Sequence, residues 1–125
     1  MQIRHSSVFV AASLVFCPFM AALAHHGWAG QAQTLMDVTG KVHKPVSLAG
    51  PHATMEVMVN GQVWEVTLAP PARTESAGLT PATLKVGDTV TVRGNRNSDP
   101  KRFEMKTVRV SSGNRNFDVY PDRIK

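Results

Sequence analysis

An Asn60-Gly61 pair between two alternating stretches is the feature that most constrains how this chain can fold. From Ala53 to Val59, apolar residues occupy every second position, and a second extended stretch runs from Val63 to Leu68. Alternation with a period of two is typical of a strand that buries one face, and Asn-Gly favours the tight turn of a two-residue hairpin. The pattern therefore predicts a β-hairpin over these residues.

The rest of the chain reads as further short strands separated by turns. Extended segments are predicted over 34–46, 89–93, 103–110 and 116–120, with a bulge at Gly40 in the first and a bulge near Lys106 in the third. In the third segment, Phe103 is expected on the same face as the core. Val90 and Val92 are expected to face inward.

A short helix over 72–77 is predicted between the third and fourth strands. Pro71 suits its first turn, and Gly78 ends it. Five or six strands with one short helical insert after the third strand match a small OB-like β-barrel, which is an all-β fold. A small sandwich is the alternative.

The first 24 residues have the features of a secretory signal peptide. They contain Arg4, an apolar run from Val8 to Met20 and the small-residue triplet Ala22-Leu23-Ala24. Cleavage after Ala24 predicts a periplasmic or secreted protein with no membrane span, in which 25–125 form a single β-barrel domain and 25–33 a histidine-bearing arm. The only cysteine, Cys17, would be removed with the signal, which excludes disulfides and thiolate metal sites.

The histidines are the candidate metal ligands. After cleavage, His25 would carry the free terminal amine, which can chelate a metal ion together with its own imidazole. His52, which Pro51 places at a turn before a strand, is the predicted third nitrogen ligand, and His26 would modulate the site or replace one ligand. This nitrogen-only set favours copper, with zinc as the second choice. The alternative interpretation is a polar terminus left by signal processing, with His52 as an ordinary turn residue.

Two tryptophans extend this interpretation. Trp64 is predicted to pack in the barrel wall. Trp28 follows the paired histidines closely, and one hypothesis is that it docks on the barrel and so holds them against it. Met55 and Met105 fall on apolar strand faces and are predicted to fill the core. They are therefore set aside as copper ligands.

Several motifs together resemble a family of short exported bacterial proteins of unassigned function. They are the signal with His25-His26, Thr39-Gly40-Lys41-Val42, Gly50-Pro51-His52-Ala53, Trp64-Glu65-Val66, Gly78-Leu79-Thr80, Leu84-Lys85-Val86-Gly87-Asp88, Val90-Thr91-Val92-Arg93-Gly94 and Tyr120-Pro121-Asp122-Arg123. The resemblance implies an exported small β-barrel and supplies no activity. The chain departs from the family pattern at Gly50, where Asn commonly precedes Pro-His, and in its short connection between Val42 and Pro51.

A second function class rests on charge, because the chain has a formal net charge of +5. Six cations are predicted to cluster around one hairpin: Arg93, Arg96, Lys101, Arg102, Lys106 and Arg109. They suggest a metal-free OB-like module that binds an envelope protein or an anionic polymer. The signal peptide argues against nucleic acid as the partner. Motifs for enzymes are missing, so the chain is predicted not to be an enzyme, although terminal-histidine copper sites can support oxidative chemistry.

Overall fold

A computed structural model describes residues 28–125, so the predicted signal peptide and residues 25–27 lie outside the described residues. The described part contains six strands, one α-helix and one 3-10 helix. They are β1 (Met36–Ser47), β2 (Thr54–Val59), β3 (Gln62–Thr67), α1 (Pro71–Ser76), β4 (Thr89–Arg96), β5 (Glu104–Ser112), β6 (Arg115–Asp118) and the 3-10 helix Pro121–Arg123.

The strands form a closed barrel. Their order in the sheet is β3-β2-β1-β4-β5-β6, and a parallel pairing between β3 and β5, from Glu65–Glu104 to Thr67–Lys106, closes five of them into a ring. Strand β6 adds to the outer edge of β5, and α1 lies in the connection between β3 and β4. The prediction of a small OB-like barrel with one short helix is confirmed, and the sandwich alternative is wrong.

The hairpin of β2 and β3 forms as the sequence predicts. Asn60 and Gly61 both adopt positive φ angles, 48° and 78°, as a type I′ turn requires. Cross-strand pairing runs in register from Thr54–Thr67 to Val59–Gln62. Met55 and Val57 are buried on the inner face, and Trp64 is 6% exposed in the barrel wall. The turn therefore fixes which side chains reach the core.

Strand β1 bulges at a different residue from the one predicted. Gly40 pairs regularly with Val90, so the prediction of a bulge there is wrong. The register against β2 shifts between Val42 and Lys44, which makes His43 the extra residue. Gly40 serves close packing, since a Cβ at this position would overlap the backbone carbonyl of Met58.

Strand β5 contains the bulge that its hydrophobic pattern requires. Arg93 pairs with Arg109 and Gly94 pairs with Thr107, so Val108 is the extra residue, two positions beyond Lys106. A run of four consecutive residues, Met105–Val108, is buried as a result. Phe103 does not share the core face as predicted, because it lies before the strand, is 36% exposed and packs edge-on against Trp64.

The core fills the barrel with aliphatic side chains and the two predicted methionines, Met55 and Met105. Helix α1 begins at Pro71, and Gly78 follows it with a φ of 100°. The buried Thr74 hydroxyl donates to the carbonyl of Ala69 at 2.8 Å, which ties the helix to the end of the barrel. No helix within residues 28–125 is long and apolar enough to cross a bilayer.

Candidate functional site

The predicted metal ligands fall on both sides of the boundary of the described structure. His25 and His26 lie outside the described residues. His52 is half-buried just before β2, whereas His43 is exposed on β1. Burial and the nearby Lys106 ammonium both lower the pKa of His52, with burial the larger cause. The imidazole of His52 is therefore in its neutral, metal-binding form at neutral pH.

The arm that follows the paired histidines is tied to the barrel by its backbone. The amide of Ala32 donates to the carbonyl of Arg96 at 2.8 Å, and the amide of Ser98 donates to the carbonyl of Gly30 at 2.9 Å. An isolated antiparallel bridge joins Gln31 to Asn97 between these two bonds. The arm thus lies along the end of β4 and the residues after it.

Trp28 docks on the barrel, as the hypothesis from the sequence requires. Its ring meets the ring of Tyr120 edge-on, with centroids 5.4 Å apart. The Lys106 ammonium nitrogen lies 5.5 Å from the Trp28 centroid. The guanidinium carbon of Arg123, the last residue of the 3-10 helix, lies 4.4 Å from the same centroid. Cation–π attraction and the aromatic contact both hold Trp28 in place.

Lys106 lies between this aromatic pair and the turn that carries His52. Its side chain is only 4% exposed, its Nζ donates to the Leu68 carbonyl at 3.4 Å, and it lies 5.4 Å from the Tyr120 centroid. Burial lowers the pKa of Lys106. Leu68 in turn donates its amide to the carbonyl of Ala53, the residue after His52. Trp28 and His52 therefore lie at the same end of the barrel.

A metal site made only of the described residues is not present. Among residues 28–125, no three His, Cys, Asp or Glu side chains are placed to hold one metal ion. A site with His52 and two further side chains of these four types would therefore include at least one residue before Trp28.

The predicted basic cluster is largely neutralised within the barrel. Three of its arginines are paired with carboxylates: Arg93 with Asp37, Arg102 with Glu104, and Arg109 with Asp118. In the first pair, two guanidinium nitrogens reach the two Asp37 oxygens at 2.8 and 3.1 Å, and this contact lowers the pKa of Asp37.

The other three members of this basic cluster have different surroundings. Arg96 lies 5.1 Å from the Trp64 centroid and donates to the carbonyl of Pro100 at 3.1 Å. Lys106 is buried, and Lys101 is exposed. The cluster therefore does not present six free charges to an anionic partner.

A cleft of about 460 Å³ lies beside the docked arm. Trp28 and Gln31 line it from the arm, Leu35 lines it from the residues just before β1, and the C-terminal segment contributes Asp122, Arg123 and Lys125. The side-chain oxygen of Gln31 is buried without a hydrogen-bond partner in the described structure. The cleft therefore lies between the arm and the C-terminal segment, next to the contact between Trp28 and Arg123.

Sequence reasoning did not assign a role to Arg73, Tyr120 or Arg123, which the structure brings together around Trp28. The Tyr120-Pro121-Asp122-Arg123 motif was noted, but nothing in its local pattern indicates which residue it meets. No local sequence pattern indicates that Arg73 contacts Tyr120. Its guanidinium carbon comes within 5.0 Å of the Tyr120 centroid only because α1 packs against the end of the barrel.

Comparisons with known proteins identify a family, and they include a partial match to a solved structure. No curated protein matches the chain. The crystal structure of apo TiaS, described as a tRNA agmatidine synthetase, matches 62% of the chain with 15% identity and a TM-score of 0.48. The chain spans only 18% of that structure's length.

The prediction that the chain comes from a family of unassigned function is confirmed. The sequence matches the family of unknown function DUF6152 over residues 12–106. Because this match covers more than half of the 125 residues, the chain belongs to the DUF6152 family.

Proposed function

We propose that this protein is an exported metal-binding protein that prefers copper to zinc. The terminal amine and imidazole of His25 supply two ligands, and His52 supplies the third. His26 modulates this set or replaces one member of it. Export through the predicted signal peptide creates the site, because cleavage after Ala24 frees the amine of His25.

The docking of Trp28 is the observation that supports this proposal best. Three residues span at most about 11 Å of extended chain, so His25 stays close to wherever Trp28 is fixed. Trp28 is fixed at the barrel end that carries Lys106, and the Lys106 ammonium acts electrostatically on His52. An arm held in this way supplies donors to His52 at a smaller entropic cost than a free tail does.

The backbone around His52 is suited to hold a ligand in place. Pro51 restricts the chain before it, and the amide of Ala53 after it donates to the Ala69 carbonyl at 2.9 Å. The imidazole is half-buried and neutral, as a nitrogen ligand must be. A rigid first ligand on the barrel then meets two ligands delivered by the arm.

The donor set itself favours copper. An amine and imidazoles are borderline nitrogen ligands, and divalent copper binds them more tightly than zinc does in the usual affinity order. The rival function, a metal-free module for an envelope protein or an anionic polymer, gains less support, because Arg93, Arg102 and Arg109 already have carboxylate partners.

The test is calorimetric titration of copper(II) and of zinc into purified protein, in a buffer that binds metals weakly. Mass spectrometry first establishes that the chain begins at His25. One copper ion per chain is expected, with binding abolished by His25→Ala and weakened at least about tenfold by His52→Ala.

Two further variants make this test specific. His43→Ala removes an exposed histidine from the same barrel and should leave copper affinity unchanged. One alanine added before His25 moves the amine away from its imidazole and should weaken binding as strongly as a ligand substitution. Unchanged copper affinity in both the extended protein and His52→Ala would overturn the proposal.

A further inference from the structure

Three cations surround the Trp28–Tyr120 pair without carboxylate partners in the described part of the chain. The guanidinium carbon of Arg73 lies 5.0 Å from the Tyr120 centroid, and that of Arg123 lies 4.4 Å from the Trp28 centroid. The Lys106 ammonium lies within 5.5 Å of both centroids. One end of the barrel therefore concentrates positive charge around two aromatic rings.

Arginines in the described part of the chain are of two kinds: some are paired with carboxylates, and others, including Arg96 and Arg115, lie over aromatic rings without such a partner. Arg93, Arg102 and Arg109 each form an ion pair with an Asp or Glu within residues 28–125, whereas Arg73 and Arg123 form none there. Asp122 is the carboxylate nearest to Arg123 in sequence, yet it is exposed and is not within ion-pair distance. Within residues 28–125, the arginines at the aromatic pair therefore have no ion-pair partner.

The buried Lys106 ammonium adds an incompletely hydrogen-bonded cation beside the two rings. An ammonium group carries three N–H donors, and the described residues offer it one acceptor, the Leu68 carbonyl at 3.4 Å. A buried cation with incomplete hydrogen bonding is costly unless a negative group or another acceptor lies nearby. The side chain is 96% removed from solvent, since its residue exposure is 4%.

The Tyr120 hydroxyl adds a hydrogen-bond donor to this cluster of cations. Burial raises the pKa of Tyr120, while Arg73 and Arg123 both act to lower it, so both guanidinium groups lie within electrostatic reach of this one hydroxyl. A phenol that stays protonated is a hydrogen-bond donor. Two guanidinium groups at the Trp28–Tyr120 pair, together with the Tyr120 hydroxyl, offer several N–H and O–H donors to a ligand that spans the pair.

We propose that Arg73, Tyr120 and Arg123 form a binding site for a multivalent oxyanion, a phosphate group or a polycarboxylate, at the aromatic pair that Lys106 also contacts. Guanidinium groups bind both kinds of oxyanion through paired N–H donors, and both arginines are exposed and therefore open to a ligand. The Tyr120 hydroxyl donates to the bound oxygen. This site stands on residues other than the proposed metal ligands and does not require a metal.

The test is titration of metal-free protein with inorganic phosphate and, separately, with citrate, at constant ionic strength. Metal is removed with a chelating resin, because soluble chelators are themselves polycarboxylates. Calorimetry gives the affinity, and amide chemical shifts show whether the residues around Tyr120 respond. Saturable binding is expected, and the tighter of the two probes identifies the class of oxyanion.

The variants separate a built site from general attraction to a basic protein. The double variant Arg73→Gln with Arg123→Gln should weaken oxyanion binding at least about tenfold. Tyr120→Phe should weaken it too, while keeping the ring contact with Trp28. Arg115→Gln is the matched control, since Arg115 also lies over an aromatic ring, 5.3 Å from the Phe117 centroid.

Two results would overturn the oxyanion site. One is a response that does not saturate or that chloride reproduces at the same ionic strength. The other is an equal loss in Arg115→Gln and in the double variant. Neither result bears on the copper titration, which is run without phosphate or citrate.

Discussion

The ammonium nitrogen of Lys106 lies 5.5 Å from the ring centroid of Trp28, although one residue belongs to the N-terminal arm and the other to β5. This contact fixes the start of the arm on the barrel. It also places a positive charge between the arm and His52. Lys106 therefore affects both the stability of the docked arm and the pKa of His52.

Trp28→Ala should release the arm. The loss of one aromatic contact and two cation–π contacts is expected to lower the free energy of unfolding by about 1–3 kcal/mol. Copper affinity should fall as well, because the histidines lose their anchor. Urea unfolding measures the first effect and calorimetry the second. Trp28→Phe retains a ring and should lose less on both measures, so equal losses in the two variants would contradict this role.

Lys106→Met should raise the pKa of His52. The substitution removes the positive charge that disfavours the imidazolium, while burial, the larger cause of the lowered pKa, remains. The new pKa should therefore still lie below the ordinary histidine value. Titration of the His52 ring signals by NMR measures the shift, and Lys106→Arg, which keeps the charge, should leave the lowered value in place.

The lowered pKa of His52 also sets the sign of a pH effect on stability. The unfolded chain binds the proton more readily than the folded protein does, so His52 favours the folded state above its unfolded pKa of about 6.5. This contribution is lost as the pH falls through the folded pKa. Denaturant unfolding at several pH values should show a smaller loss in Lys106→Met, and an identical loss would argue against the charge effect.

Gly94→Ala should be among the most damaging single substitutions in the barrel. A Cβ at Gly94 would overlap the backbone carbonyl of Lys106, so β4 and β5 would have to separate at the bulge. A loss of at least about 3 kcal/mol is expected from such forced backbone movement. Thermal unfolding measures it. Gly61→Asn is the control, because no atom lies within 4 Å of its Cβ position and Asn tolerates the positive φ.

Arg73→Gln should raise the pKa of Tyr120. Burial already raises it, and Arg73 is the first of the two charges that oppose this rise. Tyr120 is the only tyrosine in the chain, so the tyrosinate absorbance reports on this one hydroxyl. Arg115→Gln should leave the titration unchanged. An unshifted curve in Arg73→Gln would mean that Arg73 does not reach the hydroxyl.

Local pattern was sufficient for most of the fold. The alternation around Asn60-Gly61 predicted the hairpin and its register, and Pro71 and Gly78 marked the ends of the helix. The bulge at His43 was missed because a bulge is set by how one strand pairs with two neighbours. Gly40 drew attention as a flexible residue, whereas its role is to let the carbonyl of Met58 approach.

The candidate site was predicted less completely. Trp28 was expected to dock, but its partners Tyr120 and Lys106 could not be named, since they come from distant parts of the chain and meet only in the closed barrel. The sequence indicated the cations of the basic hairpin, but it did not indicate which carboxylates pair with them. Pairs such as Arg93 with Asp37 depend on the alignment of β1 with β4, which no local pattern specifies.

The edge-on pair of Trp28 and Tyr120 joins the arm before β1 to the segment after β6. The position of Tyr120 depends on β5, because its amide donates to the carbonyl of Val108, and the pairing of β5 with β3 bridges a long stretch of sequence. Contacts between residues so far apart form late in folding. The arm is therefore anchored to a surface that exists only once the barrel has closed, so a substitution that breaks the pairing of β3 with β5 should also release Trp28.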